Sequence, residues 1–135
     1  MGIPFIRRGN KQQGADAVGQ RAGELFDRGM NCAQAVLQAA TGRTGAELMA
    51  VAGAFGGGIG DSRCLCGAVS GGVMALGLRG KGDKSGALVA AFKADHRVTC
   101  CKALSAPYRW LGPQHLAHCR RLTVKTAETV ARLLK

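Results

Sequence analysis

From Gly67 to Leu78 the chain reads GAVSGGVMALGL, with Gly67, Ala68, Ser70, Gly71, Gly72 and Ala75 crowded into one short run. Wound as a helix, these residues make one surface nearly flat, and a neighbouring backbone can come very close to it. Around this run the chain is rich in Ala, Leu, Gln, Lys and Arg, which favour helix. Apolar residues recur at helical spacing, and no alternating stretch is long enough for a dependable strand. The reading is all-α: a compact bundle of about five or six helices. The alternative for 51–78 is a short buried strand and turn.

At 135 residues the chain is expected to form one domain, residues 13–135, behind a flexible basic tail at 1–12. A chain of this size buries roughly two-thirds of its unfolded surface, so compactness does not depend on disulfides or metal. Val18, Ala22, Leu25 and Phe26 predict a first helix from about Ala15 to Asp27. Asn31 is the expected cap of a second, CAQAVLQAA. Thr44 with Glu47 predicts a capping box for a third. Gly56, Gly57, Gly58 and Gly60 predict a loop, and Asp61 and Ser62 are expected to cap the fourth helix. A fifth helix is expected from Ala87 to about Ala94, and Thr99 should cap a turn, CCKALS. Pro113 is placed to open a last helix.

The formal charge is +11, and +7 of it lies between Arg97 and Lys135. A basic end suits an acidic partner or nucleic acid. A solvated basic helix explains it better, because the charges form no block and no aromatics are interleaved. No segment approaches the roughly 20 apolar residues that a membrane span needs. Arg7 and Arg8 are followed by no apolar stretch, which reads as no signal peptide. The expected location is the cytoplasm, where cysteines point to metal or catalysis rather than structural disulfides.

Six cysteines stand at 32, 64, 66, 100, 101 and 119, with no C-x-x-C pair among them. Zinc-finger and thioredoxin spacings are therefore absent. Position says more than spacing. Cys32 follows the cap Asn31, Cys64 and Cys66 fall near the expected start of the fourth helix, and Cys100 and Cys101 follow Thr99. Backbone N–H groups and the helix dipole favour negative charge there, so these thiols are expected to deprotonate readily. Cys119 lies on an expected core stripe with Leu116, Leu122, Val130 and Leu133. Against this stands the fact that free cysteine often serves as a small buried hydrophobe.

His115 and Cys119 share a helix face and His118 abuts Cys119, so HLAHC could supply ligands or a proton acceptor. Solvated or capping roles are favoured for His115 and His118, and more firmly for His96. GGGIGD lacks dinucleotide-binding spacing and a Walker lysine. No Ser-His-Asp order and no H-E-x-x-H occurs.

GMNCAQAVL (29–37), FGGGIG…CGAVSGGVMALGL (55–78), CKAL (101–104) and a late cysteine together resemble the C_GCAxxG_C_C family, described as redox-active proteins. Cys66-Gly67-Ala68-Val69-Ser70-Gly71 matches its CGAxxG motif without a break. The resemblance implies four working cysteines, which map onto Cys32, Cys66, Cys101 and Cys119, and leaves Cys64 and Cys100 as extras. It implies a redox or cluster role. Gly67, Ala68 and Gly71 would leave room for a cofactor beside Cys66. The leading expectation is that the four cysteines converge on an iron–sulfur cluster or a metal such as zinc, for electron transfer or sensing. The alternatives are metal-free thiol–disulfide exchange, handling of copper(I) or zinc, and, ranked well below, a basic module for nucleic acid or another polyanion. The redox partner is unknown, and the flat helix surface could serve a homodimer.

Overall fold

The computed structural model describes residues 3–135, with side chains from Gly14 onward. The stretch 1–12, expected as a basic tail, falls outside the described side chains. The described residues form helices and no strand: α1 (Ile3–Asp27), α2 (Cys32–Thr41), α3 (Ala46–Gly53), α4 (Gly67–Leu78), α5 (Ser85–His96), α6 (Cys101–Ser105) and α7 (Pro113–Leu133). A single 3₁₀ turn, Gly82–Lys84, leads into α5. The all-α expectation holds, and the strand alternative for 51–78 does not.

The helix α2 is the centre of the molecule, packed on α1, α4 and α7. It is apolar on nearly all sides, with Ala33, Ala35, Val36, Leu37 and Ala39 buried, as a helix enclosed by others must be. The flat surface of α4 meets it. A Cβ on Gly71 would drive into the Ala33 backbone, so the two helices touch main chain to main chain. On the other side of α4, a Cβ on Gly72 would meet Leu88 and Val130, which hold α5 and α7 there. Leu37, Leu76, Leu88, Val36, Val69 and Val130 are fully buried at these contacts. The long outer helices α1 and α7 run against each other.

Asn31 caps α2 as expected. Its side chain accepts from the Gln34 N–H at 2.9 Å, and Gln34 Oε1 accepts from the Asn31 N–H at 3.1 Å, which completes a capping box. The same two side chains donate to the carbonyls of Gly53 and Met49, and so hook α3 onto α2. Three other expected caps are corrected. Gly45, not Thr44, precedes α3, and no side chain caps it. Asp61 and Ser62 lie in a loop well before α4, whose N-cap is Cys66. Cys100, not Thr99, precedes α6.

The loop explains its glycines. Gly57, Gly58, Ile59, Gly60 and Asp61 all have φ between 59° and 74°, an unbroken left-handed run. Such a conformation costs an ordinary residue about 1–2 kcal/mol and glycine little. Hydrogen bonds from Gly60 N–H to Ala54 O, Arg63 N–H to Gly57 O and Cys64 N–H to Gly58 O close the coil.

Candidate functional site

Three helix starts meet the side of α7. Cys32 is the first residue of α2, Cys66 caps α4, Cys101 is the first residue of α6, and Cys119 lies in the second turn of α7. All four line one cavity of about 720 Å³, with Phe26, Met30, Leu104, Trp110, His115 and Leu122 among its other walls. The loops set this convergence. Cys66 N–H donates to Thr99 O at 2.8 Å, and Lys102 N–H donates to Arg63 O at 2.9 Å, so the start of α6 is tied alongside the start of α4. Thr99 thus contributes its carbonyl to this tie rather than a hydroxyl cap.

Gly67 also lines the cavity, and a Cβ there would collide with Cys32 Sγ. Ala68 is fully buried and Gly71 sits on Ala33 at the α2–α4 contact; neither lines the cavity. Cys64 is exposed, and Cys100 turns its thiol to Arg63 O at 3.5 Å; both are outside the cavity lining. His96 rests on Phe92 and His118 on Tyr108, and neither lines the cavity. Leu116, expected on the core stripe, is instead 41% exposed at the cavity, whereas Leu122 and Val130 are buried.

The expected acidification of the helix-start thiols does not occur. Loss of water raises all four, and this outweighs the helix-start donors. Burial, with Cys101 nearby, pushes Cys32 up to about 11, although the Ala33 and Ala68 N–H groups oppose the shift. Cys66 is raised further by burial and then by Cys32. Cys119 is pushed up to about 12 by burial and by Cys32 and Cys101. Cys101 is raised by burial too, but the Ser105 hydroxyl and the Arg63 guanidinium pull against it. At neutral pH all four are thiols. Cys32 and Cys101 each feel the other three thiols, so the group is electrically coupled through both.

His115 is buried rather than solvated, at 2% exposure. Its Nδ1 accepts the Leu111 N–H at 2.9 Å, which places the proton of the neutral ring on Nε2. That Nε2–H faces Ser105 Oγ at 3.0 Å and Cys119 Sγ at 3.4 Å. Ser105 Oγ in turn lies 4.0 Å from Cys101 Sγ. Trp110 packs on the imidazole, with ring centroids 4.5 Å apart, and Arg63 stands 4.0 Å from the Trp110 ring centre. Burial and Arg63 lower the His115 pKa, so the ring stays neutral. Sequence reasoning missed Ser105. The usable signal was paired i, i+4 spacing, Cys101 with Ser105 on α6 and His115 with Cys119 on α7.

Four sulfurs suit a soft metal or a cluster as donors. Their placement does not fit a single ion. Four thiolates about 2.3 Å from one zinc stand about 3.8 Å apart, and among the described residues no three His, Cys, Asp or Glu side chains form a group that could hold a metal ion. No helix among them is long and apolar enough to cross a membrane.

The fold and the cavity define a helical protein with four cysteines gathered from separate helices. The chain belongs to the C_GCAxxG_C_C family, whose description reads "Putative redox-active protein" and whose model matches residues 30–133. The two glycines of its CGAxxG motif are here two places where α4 comes close to α2, one at Cys32 Sγ and one at the Ala33 backbone. No curated protein and no solved structure matches the chain.

Proposed function

We propose that this member of a redox-active family is a thiol–disulfide protein, with Cys32 and Cys66 as its buried couple. The observation that carries the reading is the seat of Cys32 Sγ against Gly67, the residue next to Cys66. A disulfide needs Cα atoms within about 7 Å, and the close crossing of α2 on α4 favours this pair above the others. In the reaction a cysteine thiolate attacks an incoming disulfide. One sulfur–sulfur bond forms, one breaks, and a thiolate leaves to take up a proton. A second cysteine then attacks the mixed disulfide and releases the second thiol, and the exchange ends with the Cys32–Cys66 bond closed. The dithiol gives up two electrons and two protons, and the incoming disulfide becomes two thiols. A reducing compartment such as the cytoplasm would hold the resting state as the dithiol.

Disulfide mapping after mild oxidation tests this. A Cys32–Cys66 cross-linked peptide is expected, with two free thiols fewer than in the reduced protein. Equal thiol counts under oxidising and reducing conditions would reject the reading.

A second reading, an iron–sulfur cluster held by Cys32, Cys66, Cys101 and Cys119 for electron transfer or sensing, draws on a different observation: all four thiols share one cavity. When bound, a cluster supplies one-electron chemistry. Iron and acid-labile sulfide in anaerobically isolated protein would support it, and colourless, iron-free protein would remove it. Zinc or copper(I) handling would need the sulfurs drawn together around one ion, which the present spacing does not favour.

A further inference from the structure

The Ser105–His115 contact couples two thiols that the Cys32–Cys66 couple does not use. His115 cannot act as a base toward either. Its Nδ1 is occupied by the Leu111 N–H, and its Nε2 already carries the ring proton. What it offers is a donor. Nε2–H points at Cys119 Sγ and at Ser105 Oγ, and the Ser105 hydroxyl, with its oxygen engaged by that N–H, is free to turn its own hydrogen toward Cys101 Sγ. Donors aimed at a sulfur stabilise it as a thiolate and do little for it as a thiol.

We infer that Cys101 is the thiol that first attacks the incoming disulfide, that Cys119 resolves the mixed disulfide, and that Ser105 and His115 are the positioning residues that prepare the pair. The inference rests on the thiol–disulfide reading above and adds where the substrate is met. The substrate class is a small disulfide able to enter the cavity. Cys101 forms a sulfur–sulfur bond with one half of it and expels the other half as a thiolate. Cys119 attacks Cys101 Sγ, expels the second half, and leaves a Cys101–Cys119 disulfide. Cys32 then attacks Cys119 Sγ and Cys66 attacks Cys32 Sγ, which returns Cys101 and Cys119 to thiols and leaves the oxidised couple Cys32–Cys66. Each exchange conserves electrons, and the only oxidant is the incoming disulfide.

Several groups surround Cys101. Arg63 and Asp61 of the glycine loop, Cys100 beside it, Cys32 of α2 and Cys66 at the start of α4 all bear on its charge, together with Ser105. Among the four cavity thiols it alone has both a hydroxyl and a guanidinium favouring its thiolate.

The test uses the full chain with the two outlying cysteines replaced, Cys64→Ser and Cys100→Ser. The probe is a small aromatic disulfide that releases a coloured thiolate when cleaved. Rapid mixing followed by peptide mass analysis should find Cys101 as the first residue modified. Ser105→Ala should slow that phase about tenfold near pH 7 and move its pH midpoint upward, because a hydrogen bond to a charged group is lost. Ser105→Thr should restore the rate. First modification at another cysteine would overturn the inference, and so would a Ser105→Ala rate equal to the parent's. Modification of the unsubstituted Ser105 and His115 background is read first, so a variant that fails to fold leaves the test intact. If no disulfide forms anywhere after the probe reacts, the thiol–disulfide reading falls. If Cys32–Cys66 forms but Cys101 is not attacked first, only this inference falls.

Discussion

A thiol shut away from water keeps its proton to higher pH, and folding stability then depends on pH. Unfolding returns each thiol to its ordinary value near 9.0, whereas Cys32 in the folded chain holds its proton to about 11 and Cys119 to about 12. Above pH 9 the folded chain therefore binds more protons than the unfolded chain. The contribution is full below about pH 9 and is lost as pH rises through 11 toward 12. Cys32 should contribute a loss of roughly 2–3 kcal/mol over that window, and Cys119, which keeps more contact with water, a loss of the same order once solvent screening is discounted. Denaturant midpoints measured near pH 7.5 and pH 10.5 should fall accordingly, and Cys119→Ala should make the fall shallower; an identical fall in that variant would show that other groups cause it. Gly67 tests the couple directly. A Cβ there meets Cys32 Sγ, so Gly67→Ala must push the sulfur aside. We expect a loss of about 1–3 kcal/mol and a marked drop in the yield of the Cys32–Cys66 peptide after oxidation. Unchanged yield would mean that the seat of Cys32 against Gly67 has no bearing on the disulfide.

At the scale of elements, α4 carries two kinds of glycine that its sequence does not distinguish. Gly71 faces the Ala33 backbone, while Gly77 faces open space. Gly71→Ala should cost about 1–3 kcal/mol through overpacking, and Gly77→Ala should stabilise by up to about 1 kcal/mol through helix propensity. Chemical denaturation of both variants checks the pair, and equal effects would contradict main-chain contact at Gly71. The helix caps show what the sequence made legible. Asn31 was readable because its whole motif is local: it lies three residues before Gln34 and needs nothing from elsewhere. Asp61 and Ser62 misled because the preceding glycines wind leftward, and Asp61 itself has φ 60°. A left-handed run of that length is set by the contacts on either side of it, which cap chemistry does not encode. Ser105 was hidden for a similar reason, since its partner His115 lies on the next helix.

At the scale of the molecule, helical periodicity and small-residue content were enough to read an all-α bundle. The meeting of Cys32, Cys66, Cys101 and Cys119 was not readable from spacing, because no two of them share a helix or a short motif. It came from the family motif, and its physical cause is the α2–α4 crossing together with the ties from Thr99 to Cys66 and from Arg63 to Lys102. That architecture predicts how oxidation acts on the whole chain. A Cys32–Cys66 disulfide would close a loop of roughly 35 residues, which on chain-entropy grounds stabilises the fold by about 3–4 kcal/mol. The closed loop contains α2, α3 and the left-handed coil, so the gain acts on the central helix rather than on a loose end. The oxidised protein should therefore unfold at a clearly higher denaturant concentration than the reduced protein, by a difference that Cys66→Ala abolishes. Oxidised and reduced midpoints that coincide, in protein whose Cys32–Cys66 link is verified by peptide mapping, would mean that the bond strains the α2–α4 contact by as much as it restrains the unfolded chain.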